Sequence, residues 1–483
     1  MLPGSFGRKY SIMIENLGYL VAGAPFVVAG ATLVWLRWPA VWSGVAALVA
    51  ALAGAIFYPG LAASGLGGAF WGGLGTSGKV LYVLFGGLLL YNFLSAGGAV
   101  EKVSEFLGRL EPEKEALALV VVIGAAPFFE SVTGFGVAVV ISAPILFAAG
   151  FSPLRAAVLA SWGQCAVPWG ALGIGTVIGA DLSGTTFGEL SDRSALLSLP
   201  LFPVYAVAAV ALAGGRGGVR KRGFEAVLLG LVAGAGTLVT SFLLVPELSG
   251  ALGGLAATAT FLAIRWRRLS NSSIPVRALL PYAFLLALLA VANGPGFIRA
   301  WLASLGPLFT GPGLALFLSA AFAAFLLGLG SNPVRSASWR TFKQWLPTAG
   351  AVVTFVLAGQ VVATSGAAEM LAMGAAAFGP FYPAAASMIG ALGGVLTGSN
   401  AASNALFMPL QVEAAQNLGI PEVLVAAIQN VAGSHASMLA PQRVVLAATA
   451  VGILGREGEV ARAAFPPVVV SVILLALAGL LAG

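Results

Sequence analysis

Residues 128–136 read FFESVTGFG: a carboxylate, two hydroxyls and two glycines set between the apolar runs ALALVVVIGAAP (116–127) and VAVVISAPILFAAG (137–150). A carboxylate at the centre of a membrane-spanning helix costs about 2.5–3.5 kcal/mol on insertion scales, so Glu130 is rarely kept there without a task. The glycines let the chain turn at that depth and let a ligand approach the backbone. The stretch reads as the tip of a hairpin that dips into a membrane and returns.

Composition makes the membrane the right solvent. Of 483 residues, 59% are hydrophobic and 8% charged, where a soluble domain carries about 25% charged residues. Mean hydropathy is +0.98, and apolar runs near the ~20 residues that cross a bilayer recur from end to end. The fold class is therefore an all-α polytopic membrane protein. The net charge of +7 reads as basic cytoplasmic loops. No basic, aromatic-rich soluble domain is present to bind nucleic acid. Cys165 is the single cysteine, which leaves no internal disulfide and no zinc cluster. No cofactor is expected, and the first residues, MLPGSFGRKYSIMIENLG, do not read as a cleaved signal peptide.

Ordinary spans are expected near 18–36, 39–58, 79–98, 194–213, 224–245, 248–264, 277–293, 312–330, 345–364 and 465–482. The loops test this threading. GGRGGVRKRG (214–223), RWRRLSNSSIPVR (265–277) and NPVRSASWRTFK (332–343) are separated by two spans each, so all three share the cytoplasmic face. DLSGTTFGELSDR (181–193), net acidic, falls outside.

Two regions do not read as simple spans. Residues 115–150 form a hairpin entered from inside, followed by a broken helix over 153–182. Residues 380–418 form a hairpin entered from outside, followed by a broken helix over 421–455. GREGEVAR (455–462) then lands inside. The sum is 12 crossings, two re-entrant hairpins and both termini outside, with Arg8 and Lys9 on the disfavoured side. The chain divides into N-terminal helices (1–78), repeat 1 (79–213), connecting helices (214–344) and repeat 2 (345–483), the repeats having inverted topology.

Inverted repeats with paired broken helices point to a secondary transporter whose site lies near the bilayer midplane. Open N–H groups at half-helix starts hold anions; open carbonyls at the opposite ends hold cations. A channel would use like sites from symmetric copies. An intramembrane enzyme would need a nucleophile–base pair or metal cluster, for which one His and one Cys give little material. No Walker-type loop offers an ATP-driven motor. The chain is not expected to be an enzyme.

The second tip reads LTGSNAASN (396–404), followed by LGIPEVLVAAIQNVAGSHASMLAPQ (418–442). These motifs resemble the lactate permease family. Its first motif, close to E-G-A-A-G-F-G, is matched by Glu130, Gly134, Phe135 and Gly136. Its second, close to T-G-S-D-T-S-x-N-A-L-F, is matched by Thr397, Gly398, Ser399, Ser403, Asn404, Ala405, Leu406 and Phe407. Gly433, Met438, Pro441 and Gln442 are similar to its G-x-x-x-x-M-I-S-P-Q. The resemblance implies proton-coupled uptake of short 2-hydroxy monocarboxylates across the cytoplasmic membrane. Asn400 stands where the family has Asp, and Ser437 where it has Lys; Arg443 is charged where the family usually is not. A different small organic anion, sodium coupling or export is the alternative, and a homodimer is compatible with the sequence without being deduced from it.

Glu130 reads as a proton carrier or as a hairpin brace. Arg443 reads as a bidentate carboxylate clamp or the partner of a buried acid. His435, the only histidine, is a second proton candidate or a hydrogen-bonded wedge. Ser131, Thr133, Gly134, Gln164, Ser399, Asn400, Ser403, Asn404, Gln429, Asn430 and Gln442 complete the expected substrate lining, with helix capping and interhelical bonding as the plain alternatives.

Overall fold

The computed structural model describes residues 4–111, 113–134, 136–269, 273–293, 295–306 and 308–483. Phe135 of the first tip and residues 270–272 of the second basic loop lie outside the described residues, as do the side chains of Arg8 and Lys9. Every regular element among the described residues is a helix. By length and apolarity nine can cross a membrane, or twelve if each of three sharply bent pairs is one span.

The 43-residue helix Leu201–Leu243 is two helices. Gly215 leaves helical geometry at φ +61°, ψ −154°, and Gly230 and Gly234 lie against Pro203 and Leu199. Along a straight helix, 27 residues (230 − 203) would separate such partners by about 40 Å. The chain therefore reverses at Gly215, and the basic run 214–223 caps an antiparallel pair. With its two arms counted separately and the shorter apolar helix Gly313–Leu326 included, ten helices and two broken helices lie beside two hairpins among the described residues.

Several segments expected to be loops are helical. Thr186 and Glu189 form a capping box that starts helix Phe187–Ser198, so the acidic stretch 181–193 breaks only around Gly184. Helix Ser331–Thr364 absorbs the basic run 332–343, helix Glu457–Ala482 begins inside GREGEVAR, and the span expected from 79 begins at Leu66. Hydropathy marks only the part of a helix that suits hydrocarbon; intrahelical bonds carry the backbone beyond it. An amphipathic helix, Ala99–Leu110, precedes hairpin 1 and was not anticipated.

Hairpin 1 descends through Lys114–Thr133, buried throughout from Ala116 onward, and returns through Val137–Ala148. Lys114 Nζ donates to the Gly150 carbonyl at 2.5 Å, which closes its base. The same face holds an ion-pair lattice. Glu113 pairs with Lys221 and Arg222, Arg222 also with Glu225, and Arg265 bridges Glu225 and Glu111. The two basic turns thus share the face from which hairpin 1 departs. Hairpin 2, Tyr382–Thr397 and Asn400–Leu418, is joined near its base by Tyr382 donating to Gln411 Oε1 at 2.8 Å. That base packs with Leu182, at the far end of the first broken helix, and with Leu190 of helix Phe187–Ser198 that follows it. The hairpins enter from opposite ends and their tips meet.

Small residues allow the approach. A Cβ on Gly394 would overlap the Gly433 carbonyl, and one on Gly359 the Ala405 carbonyl. Close backbone packing of this kind holds helices together where lipid removes the hydrophobic drive.

Candidate functional site

Each hairpin ends at glycines that no other residue replaces cheaply. Gly134 (φ +68°) and Gly136 (φ +79°) turn the first tip, and a Cβ on Gly134 would meet that of Ala171 at 2.7 Å. Glu130 lies one turn before Gly134. Its Oε1 accepts the N–H of Gly136 at 3.4 Å, so the tip's own backbone faces the carboxylate. Its Oε2 has no partner among the described residues.

The first broken helix, Pro153–Trp162 then Val167–Ser183, bends by 64°. Ala171, Leu172 and Gly173 take φ of +48°, +56° and +83°, three successive left-handed residues. For Ala and Leu this costs about 1–3 kcal/mol each and persists only when packing imposes it. At the break, Thr176 donates to the carbonyl of Pro168, in the short 3-10 turn Val167–Trp169, at 2.5 Å.

The second broken helix, Glu422–Leu439 then Pro441–Ala450, bends by 47°. Pro441, which needs no N–H partner, restarts it. Gln442 and Arg443 therefore occupy the first turn of the restarted half. Gln442 donates to the Thr397 carbonyl at 2.5 Å. Arg443 Nε donates to the Gly398 carbonyl at 2.9 Å, and its Nη1 reaches Glu130 Oε1 at 3.4 Å and Gln164 Oε1. One buried guanidinium joins both tips and the first helix break.

Three cavities line up through this cluster. A central one of about 20 Å³ is bounded by Glu130, Gly134, Gly170, Ile174, Asn400 and Arg443, room for roughly one water. A cavity of about 250 Å³, on the side of the basic 332–343 segment, reaches Ser399, Gln442 and Arg443. One of about 500 Å³, on the side of the turns at 247 and 308–312, reaches Leu172 and Ile174. Arg443 and Ser399 are shared walls on one side, Ile174 on the other.

Behind the cleft lies a closed amide network. Asn430 Oδ1 accepts from Asn400 and Asn404, both at 2.8 Å, and its Nδ2 donates to Thr176 and Ser194 at 3.0 and 2.9 Å. Asn404 also donates to the Gly175 carbonyl at 3.0 Å, which ties hairpin 2 to the first broken helix. Thr176, Ser194 and Ile174 were missed in the sequence. Thr176 carries a weak signal, a hydroxyl in the glycine-rich run after the break; a lone Ser194 carries none.

Of the residues expected at the site, Glu130, Gly134, Gln164, Ser399, Asn400, Gln442 and Arg443 are brought together, with Asn404 and Asn430 directly behind. Others are placed elsewhere. Ser131 faces Gly250 of a neighbouring span. Thr133 donates to its own helix at Phe129, beside Gly87. Gln411, Gln429 and Ser403 form a separate chain between hairpin 2 and the second broken helix. His435 Nδ1 pairs with Tyr205 at 2.9 Å, away from the tips. Periodicity could not separate these from the cleft-facing residues, because every face of these helices is buried.

Two hairpins and two broken helices that converge on a buried ion pair, in a multi-pass helical membrane protein, have the anatomy of a membrane transporter. The L-lactate permease family model matches residues 18–299 and 303–482, and the chain belongs to that family. It is 26% identical over 383 residues to an L-lactate permease of Streptococcus iniae, covering 72% of this chain and 80% of that one. It is 25% identical over 462 residues to the glycolate permease GlcA of Escherichia coli, covering 79% and 80%. The L-lactate permease of Escherichia coli is 24% identical over 515 residues, 92% of either chain. A solved structure, the YdaH transporter of Alcanivorax borkumensis, aligns over 86% of this chain and 87% of that one with 16% identity and a TM-score of 0.43.

Proposed function

We propose that the chain carries a short 2-hydroxy monocarboxylate, lactate or glycolate, together with a proton across the cytoplasmic membrane. The observation that supports this most is the Arg443–Glu130 pair, which links the tips of both hairpins inside the protein. A substrate carboxylate that takes Arg443 displaces Glu130 from it. Two carboxylates cannot both stay ionised on one desolvated guanidinium, so Glu130 takes up a proton as the anion binds. Its unpartnered Oε2 is the atom that would hold it. Anion and proton then load and leave as one neutral set. Ser399 and the Asn400 amide, on the same wall, would bind the 2-hydroxyl.

The central cavity admits about one water, so the cleft must widen for cargo. Repeats 79–213 and 345–483, moving against one another, would open it to either vestibule in turn, with the basic turns in the cytoplasm and both termini outside. His435, paired to Tyr205, is assigned no part in proton transfer.

Sodium coupling is a second reading. It is favoured by the buried Oδ1 atoms of Asn400 and Asn404, which have no partner among the described residues and are the acceptors a hard cation uses. Uptake of labelled L-lactate into proteoliposomes separates the readings. An imposed pH gradient drives accumulation if protons couple. A sodium gradient drives it in the second reading. No uptake under either gradient by folded protein, with competition by other small organic anions, would assign a different cargo.

A further inference from the structure

Helix Leu66–Ala96 carries Lys79 near its middle, in the run FWGGLGTSGKV (70–80). A lysine within a long apolar helix calls for a carboxylate, a route to water or a task. The neighbouring acid is taken. Asp181 accepts from Thr76 at 2.7 Å, one turn before Lys79, and from Gln360 at 3.3 Å. Among the described residues Lys79 has no carboxylate within ion-pair reach. It is exposed into the cavity of about 500 Å³ that ends at Leu172 and Ile174. Lys79 is the one cation in that cavity's described lining; Glu247 is the one anion, and the rest is apolar or neutral.

The floor beside Lys79 is open in the same way. Gly75 and Gly78 line the cavity, and a Cβ on either would meet nothing within 4 Å. Neither glycine is required there by packing, in contrast to Gly73, whose Cβ would press on Leu357 at 3.0 Å. Bare backbone and one ammonium without an ion-pair partner thus line a mostly apolar chamber whose inner wall, Ile174, is also a wall of the central cavity.

We propose that this chamber is a second anion site, in which Lys79 captures the carboxylate of a small monocarboxylate before it passes Ile174 to Arg443. This rests on the transporter reading above but adds a site, a residue and an order of events. Glu247 leaves the lining without net charge, so the attraction is local: an ammonium with no ion-pair partner, set among mostly apolar walls, draws an anion to itself and raises its rate of entry. It does not stabilise the loaded cleft. The charge therefore acts on the concentration dependence of uptake from that side, not on the turnover of a filled carrier.

The test uses the full-length chain in proteoliposomes. Lys79→Gln is expected to raise KM for uptake from the 247/308–312 side by about 5- to 20-fold at low ionic strength, with kcat within twofold. In 0.5 M salt the difference from the parent should shrink to about twofold or less. Lys79→Cys adds a second arm, because the only native thiol, Cys165, is buried. A cationic, membrane-impermeant thiol reagent applied from that side should restore low KM, and an anionic reagent should not. Lactate should slow the labelling. Unchanged KM in Lys79→Gln, or equal rescue by both reagents, overturns the second site while the parent's uptake stands. If the parent takes up no monocarboxylate at all, the transporter reading fails first. If Lys79→Gln lowers kcat at unchanged KM, Lys79 belongs to the moving machinery and not to a capture site.

Discussion

Arg443 and Glu130, 313 residues apart in the chain, meet at 3.4 Å with side-chain exposures of 10% and 1%. They come from opposite repeats: Glu130 from the tip of hairpin 1, Arg443 from the restarted half of the second broken helix. Arg443 also holds the Gly398 carbonyl at the tip of hairpin 2. Breaking a buried pair by removing one partner costs about 3–5 kcal/mol. The pair therefore ties the second broken helix, and through Gly398 hairpin 2, to the tip of hairpin 1; in the proposed cycle a substrate carboxylate would release it.

Glu130→Gln keeps an acceptor for Arg443 but carries no titratable proton. Accumulation of labelled lactate driven by a pH gradient should vanish, while lactate–lactate exchange across the same vesicles persists. Retained pH-driven accumulation would remove Glu130 from the coupling.

Arg443→Lys keeps the charge but cannot reach Gly398, Glu130 and Gln164 together. Truncating a buried, hydrogen-bonded charge costs about 2–5 kcal/mol in binding, so equilibrium lactate affinity in detergent should fall about 30-fold or more. Parent-like affinity would mean that the anion binds elsewhere.

Asn400→Asp tests the amide network. Asn430 Oδ1 accepts from the Asn400 amide at 2.8 Å, and an ionised aspartate offers an acceptor to an acceptor. An unsatisfied buried group costs about 1–3 kcal/mol. The variant should melt below the parent at pH 7, with the gap narrowing at pH 5, where a protonated side chain can donate again. A melting gap independent of pH would contradict this arrangement.

Gly359→Ala would push a methyl into the Ala405 carbonyl oxygen, where helix Ser331–Thr364 crosses hairpin 2. Overpacking typically costs about 1–3 kcal/mol, and a rigid backbone partner places this variant at the upper end. Gly75→Ala, facing open space inside helix Leu66–Ala96, should instead stabilise by about 0.4–1 kcal/mol. Thermal unfolding of the two side by side checks the contrast.

Arg222 first, and Lys221 after it, hold the Glu113 carboxyl down to about 2, against an ordinary value of 4.5. A depressed native value means that stability is present above the ordinary value and is lost as pH falls through the native one. Glu113→Gln should lower stability by less than about 1 kcal/mol, since the site is partly exposed. That difference should hold from pH 7 to about 4.5 and fade only below. A difference that fades between pH 7 and 5 would point to another group.

What could be read in the chain was what each residue demands of its solvent. The excess of apolar residues required a membrane. The spacing of basic runs placed 214–223 and 265–277 on one face, where Glu225 pairs with Arg222 and Arg265. Glycines beside polar residues at 130–136 and 397–404 marked the tips, since only such residues serve where backbone turns inside the protein. Helix ends were misread at 181–193 and 332–343, because hydropathy senses hydrocarbon and not the hydrogen bonds that continue a helix beyond it.

The site divided along the same line. Sequence alone singled out Glu130, Gln164, Gln442 and Arg443 as costly polar groups at depth, and it singled out Gln429 and His435 on the same ground. Only the tertiary structure decided between them. It set Arg443 on Glu130 and turned His435 to Tyr205, Gln429 to Ser403 and Ser131 to Gly250. In a fully buried helix every face is apolar or small, so periodicity gives no inside and outside. The direction of a polar side chain is then set by which helix crosses it, through close contacts such as Gly250 beside Ser131 and Gly390 beside Gln429.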